Sequence, residues 1–173
     1  MNTPFLEIKA LLKGEWKGEG YAKFPSIEAT SYTETWKFIP DEDQTAIHYD
    51  QKTKYKNAAA NNGKTVFWDT GFILQKEEKI LMVSAQIHGR TQIYALDDYS
   101  AGRLIFNSLS TENDPKTIRS QWVITIRKDS LQYDFNMSTH QVLAFQNHLS
   151  ATLERVNATA MPRPGKEVWL WQK

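Results

Sequence analysis

Four histidines, His48, His88, His140 and His148, carry most of the chemistry this chain could offer. No two of them fall at the spacing of a zinc-binding pair, so a multi-histidine zinc site would have to be assembled by the fold from separate places. The chain has 0 cysteines, which removes thiolate zinc sites, iron–sulfur clusters, thiolate haem ligation and disulfides. A lone histidine has another use: one imidazole can hold haem iron inside an apolar cavity. The ordinary alternative for each is a solvated or hydrogen-bonded ring. The chain contains no Gly-rich phosphate loop, no His-Glu-x-x-His pair and no Gly-x-Ser-x-Gly elbow. Gly18-Glu19-Gly20 is a Gly-x-Gly inside a strand pattern, with no helix after it to hold a phosphate at its N-terminus.

A site of the lone-histidine kind needs a cavity, and the elements predict one. Phe5, Leu6, Ile8, Leu11 and Leu12 are spaced for one short amphipathic helix over residues 3–13, with Gly14 as its stop. After it, alternating or β-branched and aromatic runs recur at 15–22, 29–39, 46–54, 65–74, 79–87, 90–96, 103–109, 118–127, 131–138 and 148–156. Turn signals separate them at Pro40–Asp43, Asn61–Gly63, Gln75–Glu78, His88-Gly89, Asp97-Asp98, Asn113–Pro115 and Lys128–Ser130. Ten strands in a meander leave two exposed edges unless the sheet closes. The expected fold is therefore all-β, a closed antiparallel ten-stranded barrel with a short N-terminal helix. A barrel of that size can enclose a ligand.

Gly14-Glu15-Trp16-Lys17-Gly18-Glu19-Gly20 follows the helix directly. Gly14 lets the chain turn from helix into strand. Trp16 can plug one barrel end with a large apolar ring, with Arg155 from the last strand stacked on its outer face. This is the closing arrangement of lipocalin-like barrels. Residues 1–156 thus form one domain. Residues 157–173, with Pro162, Pro164, Gly165, Trp169 and Trp171, read as a tail docked on the barrel, or offering an edge cover or homodimer contact.

The charge balance, 21 Lys+Arg against 20 Asp+Glu, speaks against a nucleic-acid or membrane-surface partner. Apolar residues at 40% and aromatics at 12% are ample for a packed core. No stretch is apolar enough for a membrane span and the N-terminus does not read as a signal peptide, so the expected compartment is the cytoplasm.

At every fixed position of Gly14–Gly20 the chain resembles the Gly-x-Trp-x-Gly-x-Gly motif of the nitrobindin family, haem-binding β-barrels related to fatty-acid-binding proteins. Phe24-Pro25-Ser26 stands where the family has Tyr-Pro-Thr, and Tyr49-Asp50-Gln51-Lys52-Thr53 is similar to its Tyr-x-Gln-x-Thr strand. Asp69-Thr70-Gly71-Phe72 resembles its Glu-Ser-Gly-aromatic turn, and Val83-Ser84-Ala85-Gln86 with Gly89 another of its segments. Met137-Ser138-Thr139 and the closing strand from His148 to Arg155 complete a resemblance covering residues 5–156. The resemblance implies ferric haem b as cofactor, with His148 as the proximal iron ligand and Ser26 at the haem. It also implies nitric oxide and peroxynitrite as small-molecule ligands and, in some members, isomerisation of peroxynitrite to nitrate. Phe67, followed by Trp68, stands where several members have histidine, which implies a more apolar distal side.

Strand parity bears on His148. With Leu149, Ala151 and Leu153 facing inward, strict alternation turns His148 outward unless it belongs to the preceding loop or to a β-bulge. His140 is the competing ligand. Two other readings use the same barrel. One is a carrier for a fatty acid or similar apolar molecule, its carboxylate met by Arg127, Tyr133 or Arg90. The other is a barrel filled by Phe67, Trp68 and Trp122, with no cavity left.

Overall fold

The computed structural model describes residues 4–23 and 29–156. Helix α1 (Pro4–Leu12) is followed by β1 (Gly14–Ala22), β2 (Thr30–Pro40), β3 (Ala46–Tyr55), β4 (Thr65–Lys76) and β5 (Lys79–Gln86). The second half supplies β6 (Thr91–Ser100), β7 (Arg103–Glu112), β8 (Thr117–Arg127), β9 (Ser130–Thr139) and β10 (Gln146–Arg155). Each strand pairs antiparallel with the next and β10 pairs with β1, so the sheet closes into a barrel without edges. The predicted tail at 157–173 lies outside the described residues, as does Ser26. Among the described residues no helix is long and apolar enough to cross a membrane.

The elements fall where the residue pattern put them, with one correction. Asp97-Asp98 is not a turn. β6 runs through it with a register shift between Leu96 and Asp98, and the chain reverses at Ala101-Gly102 instead. Both aspartates are exposed, so the irregularity absorbs two acidic residues without burying either. The reversal takes Ala101 and Gly102 to φ values of 48° and 79°, a left-handed pair that suits a tight hairpin.

The Gly-x-Trp-x-Gly-x-Gly stretch has a steric reason at each glycine. Gly14 sits at φ 121°, strained for any residue with a side chain. A Cβ at Gly18 would stand 2.1 Å from the Thr152 carbonyl oxygen, and one at Gly20 2.3 Å from the Tyr32 ring. The strand is therefore pressed against β10 at one glycine and makes room for an aromatic side chain at the other.

Inward positions sort into three tiers. At the helix end, Phe5, Ile8 and Leu12 of α1 pack with Trp16, Trp36, Phe38, Ile73 and Leu153 in a fully apolar core. Trp16 donates its indole N–H to the Leu12 carbonyl at 2.9 Å, and the Arg155 guanidinium lies 4.1 Å above the Trp16 ring, as the sequence predicts. The middle tier is polar, with Glu34, Gln51, Asp69, Ser84, Gln92 and Ser120 all buried. The third tier, at the opposite end from α1, surrounds a cavity.

Candidate functional site

The cavity has a volume of about 430 Å³. That size falls within the range of small-molecule and cofactor sites. Its wall is mainly apolar, from Ala22, Val66, Phe67, Trp122, Phe135, Met137 and Leu149, with Tyr32 and Tyr55 adding ring surface. Arg90, Gln86, His88, Asn113 and Asp114 form a polar arc on one side. The filled-barrel reading is overturned on two counts. Phe67 and Trp122 line the space without filling it, and Trp68 stands on the outer surface, 41% exposed, beneath the Lys52 ammonium at 4.2 Å.

His148 is buried, 4% exposed, on β10. Parity alone would turn it to solvent, because Ala151 and Leu153 are buried and Leu149 lines the cavity. A register shift resolves the conflict. β10 pairs Asn147 with Asn136 and Leu149 with Phe135, leaving His148 as the extra residue of a bulge, so both it and Leu149 sit on the inner side. The main chain is fixed there by the Lys23 amide, which donates to the His148 carbonyl at 2.9 Å. Burial, with the positive charge of Arg90 adding to it, pushes the imidazole below the usual histidine range. That direction favours the neutral imidazole, the form that ligates a metal.

The other histidines are placed otherwise. His140 is exposed beyond the end of β9, and His48 lies outward on β3, its Nε2 3.1 Å from the Thr70 hydroxyl. His88, one of the four histidines and part of the predicted turn at His88-Gly89, lies at the cavity rim. The cavity's apolar lining and one buried neutral imidazole beside it fit haem, whose iron needs one axial nitrogen and whose macrocycle needs apolar walls. Of the three residues considered for a carboxylate, Arg127 is exposed on the outer face. Tyr133 is buried and committed to Glu34, and only Arg90 lines the cavity.

The polar tier beneath the cavity was not anticipated from the sequence. Tyr133 donates to Glu34 Oε2 at 2.5 Å, and Gln51 Nε2 donates to Oε1. The Tyr32 hydroxyl, on the cavity wall, lies 2.9 Å from that of Tyr133. Across the barrel, Ser84 donates to both Asp69 oxygens at 2.8 and 2.9 Å, and Tyr49 to Oδ2 at 3.3 Å. Burial raises both acids against the pull of these donors, Glu34 from 4.5 and Asp69 from 3.8, each to about 7. The available signal was phase. Glu34 alternates with Tyr32, Trp36 and Phe38 on β2, and Asp69 lies in register with the inward Phe67 and Ile73.

A family model described as the THAP4-like, heme-binding beta-barrel domain matches residues 6–155. The chain is 28% identical over 162 residues to peroxynitrite isomerase 1 of Rhodococcus jostii, covering 89% of this chain and 88% of that protein. It is 30% identical over 160 residues to peroxynitrite isomerase 1 of Mycolicibacterium paratuberculosis, covering 88% of this chain and 95% of that protein. Among solved structures, Rv2717c from M. tuberculosis superposes with a TM-score of 0.74 at 23% identity, over 91% of this chain and 100% of that one. The S-type phycobiliprotein lyase CPES from Guillardia theta shares the fold more distantly, with a TM-score of 0.58 at 10% identity. The barrel, its cavity and the length of the match together make the chain a member of the THAP4-like haem-binding β-barrel family, the nitrobindins, with haem as its cofactor.

Proposed function

We propose that the cavity holds ferric haem b with His148 as the proximal iron ligand and Ser26 beside the macrocycle, and that the chain converts peroxynitrite to nitrate. Nitric oxide is the other ligand of the same open position, and the cytoplasm is the compartment. The observation that carries this reading is the bulge at His148, which brings a neutral buried imidazole to the inner side beside the cavity-lining Leu149. Ser26 belongs to a segment whose flanking residues Ala22 and Thr30 both line the cavity. With 0 cysteines the chain has no thioether attachment for the macrocycle, which favours haem b. The relatives named as peroxynitrite isomerases support the substrate.

When bound, haem would supply the iron chemistry that binds and rearranges a small anion. Peroxynitrite and nitrate have the same atoms and the same charge, so the conversion consumes no net proton or electron. The protein's part is to hold and to enclose. His148 offers its neutral nitrogen. Phe67, Trp122, Phe135 and Met137 present apolar surface that excludes water from the reacting fragments.

Hemin titration of the purified protein beside His148→Gly tests the ligand. The wild type is expected to give a saturable one-to-one Soret band, the variant a displaced or missing one, and added imidazole should restore the wild-type position in the variant. An unchanged spectrum in His148→Gly would remove His148 from the iron. Stopped-flow decay of peroxynitrite with the loaded wild type, nitrate being the product, then tests the reaction.

A further inference from the structure

The polar arc of the cavity contains one cation, and its setting is built. Arg90 immediately precedes β6, after the tight turn at His88-Gly89. Its side chain is largely enclosed, 16% exposed, and lies against the cavity with its guanidinium carbon 5.9 Å from the centroid of the Phe135 ring. Nε donates to Gln86 Oε1 at 2.7 Å and Nη1 to Asp114 Oδ2 at 3.0 Å. Gln86 is held in turn by Gln92 at 3.3 Å and by Ser84 at 3.4 Å. Asp114 is held by the Thr117 hydroxyl at 2.7 Å and the Lys116 amide at 3.2 Å. The guanidinium is therefore oriented from two sides before any ligand arrives. Among the described residues Arg90 is the single Lys or Arg in a lining that is mainly apolar.

We propose that Arg90 is the anchor for a carboxylate borne by the cavity's ligand, and that Asp114 is the internal carboxylate it competes with. The ligand class is an apolar molecule large enough to fill the cavity and carrying a carboxylate at one edge. A planar fork of N–H donors pairs with a carboxylate in a way a neutral ester cannot reproduce. The inference rests on the cavity being the ligand site, as proposed above. Two sources share the chemistry: the propionates of haem and the head of a fatty acid.

The test compares each acid with its ester, so that loss of fold and loss of anchoring separate. Hemin and hemin dimethyl ester are titrated into wild type, Arg90→Gln and Asp114→Asn, and a fluorescent long-chain fatty acid and its methyl ester are titrated in parallel. Esterification is expected to weaken binding to wild type about tenfold or more, the scale of one charge-assisted hydrogen bond. In Arg90→Gln that acid-over-ester preference should vanish. Asp114→Asn should strengthen acid binding several-fold and leave the ester unchanged. If Arg90→Gln weakens acid and ester equally, Arg90 is only a latch between the β5–β6 turn and the β7–β8 connection, and the proposal is overturned. If the fatty acid shows the Arg90-dependent preference and hemin does not bind, the anchor stands and the haem reading falls; if the fatty acid shows it and hemin binds at His148 without it, both stand and the anchor serves the fatty acid. If hemin binds at His148 with no ester penalty in the wild type and the fatty acid shows none, the haem reading stands and the anchor falls. If none of the four probes binds, both fall.

Discussion

Arg155 closes the barrel onto its helix through Trp16. The guanidinium lies 4.1 Å above the indole ring, and its Nη2 donates to the Leu11 carbonyl at 2.9 Å while Nη1 donates to the Lys13 carbonyl. The two residues are also register partners across β1 and β10. One side chain thus satisfies two carbonyls at the C-terminal end of α1, covers an aromatic face and ties the first strand to the last.

Removing that side chain should loosen α1 more than the barrel. Arg155→Ala is expected to destabilise the protein by about 2–3 kcal/mol, combining the cation–π contact with the hydrogen bonds lost from the helix end. Arg155→Lys should fall between, because a lysine keeps the cation and loses the fork. Urea unfolding gives the free energies, and limited proteolysis reports release of residues 4–12. A change within about 0.5 kcal/mol in Arg155→Ala would show that the apolar packing of Phe5, Ile8 and Leu12 holds the helix unaided.

The two buried acids make stability fall as pH rises. Glu34 and Asp69 bind protons more tightly folded than unfolded, with folded values of about 7 against 4.5 and 3.8. Their contribution is complete below the unfolded values and is lost progressively as pH rises from about 4 to about 7, on the order of 3 kcal/mol for Glu34 and about 4 kcal/mol for Asp69. His148 works the other way. Its folded value lies below 6.5, so its contribution is present above that pH and declines as the solution turns acid. Two acids outweigh one histidine, so the apoprotein should gain stability as pH falls from about 7 toward 5, a slope set by the acids, with little further change between pH 7 and pH 8 from these groups. Glu34→Gln and Asp69→Asn should each flatten that slope, since a neutral amide occupies the site of a neutral acid. Urea midpoints measured from pH 5 to pH 8 decide it; equal slopes in wild type and both variants would mean that the acids stay ionised in the fold.

The barrel is legible in the sequence because its alternation is regular and its turns carry Gly, Asn, Asp and Pro. Trp16 and Arg155 are legible for the same reason: both are at strand ends where a large ring and a cation have one place to go. His148 is legible only as a condition, since alternation and burial contradict each other there until a bulge adds one residue, and no residue pattern around Asn147 announces a bulge. The polar tier is hidden by type. A glutamate between Thr33 and Thr35 looks like a solvent-facing residue, and only its phase with Tyr32, Trp36 and Phe38 places it inside. The Asp97-Asp98 pair misleads in the opposite sense, since two acidic residues that resemble a turn are carried through β6 at a bulge.

Gly20 links the motif of β1 to the cavity wall, and its replacement should show this link through Tyr32. A Cβ at Gly20 would lie 2.3 Å from the Tyr32 ring, a contact that displacement of the ring would relieve. Tyr32 lines the cavity and its hydroxyl meets Tyr133 at 2.9 Å and the Ser150 carbonyl at 3.2 Å, so moving the ring costs both hydrogen bonds and cavity shape. Gly20→Ala is expected to destabilise by about 1–3 kcal/mol, the scale of overpacking in a filled interior, and to weaken hemin binding. In Tyr32→Val the obstacle is absent, so adding Gly20→Ala to that variant should cost much less than it does in the wild type. Gly18→Ala serves as the control, because its Cβ would meet the Thr152 carbonyl oxygen at 2.1 Å and a backbone clash gains nothing from Tyr32→Val. Additive effects of Gly20→Ala and Tyr32→Val in a double-mutant cycle would show that β1 yields instead of the ring, and that the glycine serves the strand rather than the cavity.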